Sequence, residues 1–138
     1  MQSLINNLSD QAHALRHNRR AQMDELRALV DYLPKNDKLL IEQVLDGNLP
    51  MTQLAKLYHQ PARHLQRRAQ SIIKRLSDKH FKFVALQIKT LPPEVRTTAR
   101  HVVLHGLSMR KTAESSGLSL HRVRSDMNTV RATARLFI

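Results

Sequence analysis

The chain has no cysteine and no tryptophan, and it carries only three glycines, five prolines, three phenylalanines and two tyrosines. Without cysteine there can be no disulfide, no thiol chemistry and no cysteine-based zinc site. With aromatic residues at 4%, aliphatic side chains must build the core. That suits short packed helices better than a β-sandwich, which draws on aromatic and β-branched residues. Scarce turn formers point the same way. Acidic residues are also few, 11 against 23 lysines and arginines, leaving a formal charge of +12. Such a balance implies an anionic partner. No apolar run approaches the length of a membrane span, so no membrane partner is expected. The opening MQSLINNLSDQAH has neither the basic start nor the apolar stretch of a signal peptide. The corresponding expectation is a cytoplasmic protein.

What is present is a repeat. Leu33-Pro34 falls on Leu91-Pro92, an offset of 58 residues, and at that offset Leu49 meets Leu107, Met51 meets Met109 and Ala55 meets Ala113. Conservative pairs fill in between: Val30 with Ile88, Val44 with Val102, Leu65 with Val123, Ile72 with Val130. Each copy reads as helix, turn, short helix, tight turn and basic helix, the outline of a helix-turn-helix module. The expected architecture is therefore all-α: an N-terminal helical arm over 1–18, one unit over 19–76 and a second over 77–138.

Local signals mark the elements. A residue before proline is pushed out of the α region, so Leu33-Pro34 ends one helix and Lys35–Asp46 forms the next. Leu39, Leu40, Ile41, Val44 and Leu45 supply its apolar side, and Gly47-Asn48 can take the left-handed conformation that stops it. A short helix over Met51–Tyr58 turns Leu54, Ala55 and Leu57 inward. His59-Gln60-Pro61 makes the turn, and Ala62–Leu76 buries Leu65, Ala69, Ile72 and Ile73. In the second unit Phe81, Val84, Ala85, Ile88 and Leu91 share one helical face. Pro93 sits well in a first helical turn, Ser108 and Ser119 are caps, and the closing helix runs from about Leu120 to Leu136.

The second unit has the clearer reading pattern. Ala113 is small where two helices cross, and Gly117 supplies the positive φ of the turn. Leu118 and Val123 pack inward. Ser119, Leu120, His121, Arg122, Arg124, Ser125 and Asn128 are left exposed on the first turns of the last helix. Arginine pairs bidentately with guanine and asparagine with adenine in the major groove. In the first unit His59 replaces the glycine, a conformation histidine tolerates at some cost, and Pro61 replaces the capping serine. Its charge speaks instead. No acid occurs from Gly47 to Ser77, a stretch with Lys56, Arg63, Arg67, Arg68, Lys74 and Arg75. Arg63, His64, Gln66, Arg67 and Arg68 are its candidate DNA contacts. Lys56, Lys74, Arg110, Lys111 and Arg131 are candidate phosphate contacts.

Leu91-Pro92-Pro93-Glu94, Gly106-Leu107-Ser108, Thr112-Ala113 and Gly117-Leu118-Ser119-Leu120-His121-Arg122-Val123-Arg124 resemble the −35-reading module, region 4, of the sigma-70 family. The resemblance covers Leu91–Leu136 well and Leu33–Leu76 more loosely. It implies that Ser119, His121, Arg122, Arg124 and Ser125 face DNA, and that RNA polymerase is a further partner. The same stretch is similar to plasmid Kor-type repressors and to LuxR-type modules. Nothing resembles the aromatic-rich, −10-reading region of a complete sigma factor. The expected function is sequence-specific binding of double-stranded DNA in transcription regulation. A sigma-like adaptor acting mainly by binding RNA polymerase or another regulator and an RNA-binding protein stand as alternatives, the latter disfavoured by the lack of stacking aromatics on the reading helices. Leu4, Leu8 and Leu15 of the arm would either fold back on the first unit or form a homodimer.

Catalysis has little support: there is no nucleophile elbow, phosphate loop or carboxylate dyad, and Ser115-Ser116-Gly117 reads as turn chemistry. His13/His17 and His101/His105 have the i,i+4 spacing of helical metal ligands. His101-Val-Val-Leu-His105 lacks the glutamate of a zincin. No enzyme activity, metal or cofactor is expected.

Overall fold

The computed structural model describes residues 20–138. The expected arm over 1–18, with its leucines and His13 and His17, lies outside the described residues. The rest is helical, and no strand occurs among the described residues. We number the helices α1 (residues 20–29), α2 (Lys35–Asp46), α3 (Met51–Tyr58), α4 (Ala62–Leu76), α5 (Lys79–Gln87), α6 (Pro93–Ala99), α7 (Met109–Ser116) and α8 (Leu120–Ala134). No described helix is long and apolar enough to cross a membrane.

The element bounds repeat at the 58-residue offset. Short 3-10 turns over Val30–Tyr32 and Ile88–Thr90 close α1 and α5. Leu33 and Leu91 are then extended, as a following proline requires. α3 and α4 begin and end opposite α7 and α8. Even the brace at the proline corner is shared in position. Lys38 reaches back to Asp31 at 2.9 Å, and Arg96 donates through Nε and Nη2 to the carbonyls of Leu91 and Lys89, both at 3.1 Å.

One departure breaks the symmetry. α6 continues through Arg100–Leu104 as a π-helical turn, with the His105 amide donating to the Arg100 carbonyl at 2.9 Å. The wider turn moves the left-handed stop by one position. Gly47 takes it in the first half at φ 65°, and Gly106, not residue 105, takes it in the second at φ 69°.

Leu40, Ile41, Leu54, Leu65, Phe81, Val84, Leu91 and Val130 are almost fully buried and belong to one cluster that runs through both halves. Two expected core residues are not in it. Leu57 is 63% exposed and Leu39 48%. With about 100° per residue, each stands more than a quarter-turn from the midpoint of the buried pair on its helix, Leu54 with Ala55 and Leu40 with Ile41. Ile73, Ile88, Val44 and Leu45 are only partly buried against the cluster. Phe83, unremarked in the sequence, is buried and stacks on Phe137 at 5.6 Å.

The halves meet along α4, α5 and the π turn. Lys82 bonds Glu25 of α1 at 2.6 Å. Arg75, near the end of α4, passes so close over Gly106 that a β-carbon there would strike its guanidinium. A cleft of about 410 Å³ is lined by residues of both halves, among them Lys74, Arg75 and Arg131 with Phe81, Val103 and Met127.

Gly106→Ala should therefore destabilise more than Gly117→Ala. Both incur the left-handed cost of about 1–2 kcal/mol, and nothing lies within 4 Å of a β-carbon at Gly117. Only the former also displaces Arg75. Denaturant midpoints of the two variants, measured side by side, check the ordering.

Candidate nucleic-acid interface

α7 and α8 are joined by a turn whose parts are all local. Gly117 is left-handed at φ 72°. The Ser119 hydroxyl then accepts from the Arg122 amide at 3.1 Å, capping α8, as Ser108 accepts from the Lys111 amide at 3.0 Å to cap α7. α8 turns Val123, Met127, Val130 and Ala134 into the protein. Ser119, His121, Arg122, Arg124, Ser125 and Asn128 are all exposed, with Arg131 further along. Leu120 and Leu118 are half-buried. Leu120 thus belongs to the support of the helix more than to its free surface.

The first half has the same outline with different chemistry. His59 is the one non-glycine residue at positive φ among the described residues, at 52°. Pro50 and Pro61 stand where Ser108 and Ser119 stand, so neither α3 nor α4 has a side-chain cap bond. Arg63, His64, Gln66 and Arg67 are exposed on α4, and Lys56, Lys74, Arg110 and Lys111 are exposed as well.

Two carboxylates that sequence reasoning passed over organise these helices. Asp37 of α2 accepts from Arg68 at 3.1 Å and from Arg75 at 2.9 Å. The acid-free basic run of α4 thus meets an acid from a helix earlier in the chain, and Arg68 is half-buried in an ion pair. Nothing in the local sequence announces that contact. Asp126 of α8 is 3% exposed. It accepts from the Thr98 hydroxyl of α6 at 2.8 Å and from Arg122 Nε at 2.9 Å. The Arg122 contact has i,i+4 spacing, a signal that could have been read. Residues 68 and 126 correspond at the repeat offset. Each ties the last helix of its half to the second, with the charge reversed.

His101 on the π turn and His105 just after it have ring centroids 5.6 Å apart. No group of three metal-ligating side chains occurs among the described residues. Burial pushes the His105 imidazole below its ordinary range, helped by His101, Arg75 and Arg100, while Asp37 opposes the shift.

Comparison with protein-family models, curated proteins and solved structures gives no match to this chain.

The unfolded histidine takes up its proton near pH 6.5, and folded His105 does so only at lower pH. Its contribution to stability is complete above that value and is lost as the pH falls through the folded value. His105→Gln should flatten this part of the stability profile measured by thermal unfolding between pH 8 and pH 5. A profile of unaltered slope would assign the effect to other groups.

Proposed function

We propose that the chain binds double-stranded DNA sequence-specifically through two tandem helix-turn-helix units and regulates transcription. The observation that carries this reading is α8. A left-handed glycine and a serine cap launch it, its apolar side is buried, and His121, Arg124, Ser125 and Asn128 stand exposed along it beside Arg122, which is exposed but held at Nε by Asp126. Short polar and basic side chains at the start of a braced helix are what the major groove admits. The net charge of +12 supports a polyanionic partner. On this reading Arg63 and Arg67, exposed on α4, neutralise phosphates, and so do the exposed Lys56, Lys74, Arg110, Lys111 and Arg131. His64 and Gln66 lie at the same surface. Arg68 acts through its ion pair with Asp37, holding α4 to α2.

Selection from random duplex DNA with the whole protein at near-physiological salt should enrich a reproducible motif. Two elements about 10 base pairs apart would mean that both units read successive major grooves, and a single element that the first unit only positions. Arg124→Ala should then relax preference at one base by about 1–3 kcal/mol if its contact is bidentate. Arg63→Ala and Arg67→Ala should each weaken all sequences alike and reduce the salt slope of log K by about 0.9. Salt-sensitive binding without enrichment would remove the sequence-specific reading.

A further inference from the structure

Arg122 is both exposed and held. Its side chain is 46% exposed, yet Nε donates to Asp126 Oδ1 at 2.9 Å. Its terminal nitrogens donate to no acceptor among the described residues. Asp126 is itself fixed, because its other oxygen accepts from the Thr98 hydroxyl at 2.8 Å and Thr98 is fully buried on α6. The chain of contacts runs from the core through a threonine and a carboxylate to one edge of an arginine. It removes freedom from a side chain that otherwise samples many rotamers, and it leaves Nη1 and Nη2 as a planar pair of donors. That pair matches the O6 and N7 acceptors of guanine.

The corresponding positions of the first half carry none of this. His64 stands in place of Arg122, and Arg68 stands in place of Asp126. Arg68 donates inward to Asp37, so no carboxylate on α4 is placed to orient a reading arginine. We propose that Asp126 is a positioning residue that presents Arg122 to a guanine in the major groove, and that selection of this base belongs to α8 alone. The inference rests on the double-stranded DNA reading above. It adds which base is selected, by which side chain, and what sets that side chain's direction.

The test uses the full chain and the motif it selects. Affinity is measured at one salt concentration for that duplex and for duplexes with each guanine replaced in turn by adenine. The native protein should favour one guanine by roughly tenfold. Asp126→Asn keeps the shape of the side chain and loses the charge. It should bring that ratio toward one while affinity for unrelated duplex does not fall, since a negative charge is removed. A merely structural role would lower binding to both duplexes together. Arg122→Lys should lose the same ratio, and adding Asp126→Asn to it should change the ratio no further. Should circular dichroism show that Asp126→Asn does not fold, Thr98→Val, which loosens Asp126 and leaves Arg122 in place, must lower the ratio instead.

An unchanged ratio in folded Asp126→Asn, or in Thr98→Val, overturns the positioning role while the DNA reading stands. So does a motif whose guanine preference survives Arg122→Lys. A native protein that enriches no sequence overturns both.

Discussion

A carboxylate withdrawn from water must find donors, and this chain uses two such groups to fasten the last helix of each half. Asp37 gathers Arg68 and Arg75 from α4, and Asp126 gathers Thr98 from α6 and Arg122 from its own helix. Aliphatic burial under α4 and α8 is non-directional. It keeps the helices against the core but leaves their rotation weakly specified. The polar ties supply what packing does not, a fixed angular setting for the exposed side of each helix. Because Asp126 lies on α8, its tie also governs a surface arginine. Asp37 lies on α2, and its tie draws two arginines inward.

The halves are joined by more than a linker. One buried cluster continues from Leu40 and Leu65 to Phe81 and Val130. Glu25 pairs with Lys82 across the junction, and Arg75 crosses to Gly106. Helices that share a core in this way transmit displacement to each other. Their exposed faces are therefore set relative to one another by the fold and not by a flexible connection.

Much of this was legible. The repeat offset, the proline corners, the bounds of α2, α3 and α4, the left-handed His59 and Gly117, and the serine caps follow from short-range rules, and short-range rules operate on residues close in sequence. Leu39 and Leu57 misled because being apolar at roughly helical spacing does not fix which side of a two- or three-turn helix is covered. Asp37 was silent because its partners lie some thirty residues away, a separation at which sequence carries no phase information. Asp126 was different. It stands four residues from Arg122, a spacing that brings the two side chains together on one helix face. The π turn gave no local sign, since His105-Gly106 reads equally well as an ordinary helix end.

That turn has a mechanical meaning. The two halves keep the same element bounds, yet the second holds its glycine one place later because the wide turn carries His105 on in a right-handed conformation before the stop. It works as a shim. The shift places a residue without a side chain under the end of α4, where Arg75 crosses, so the irregularity of one copy is the seat for the other. The two halves match in element bounds but not in this contact: Thr133 stands in place of Arg75, and nothing lies within 4 Å of a β-carbon at Gly47.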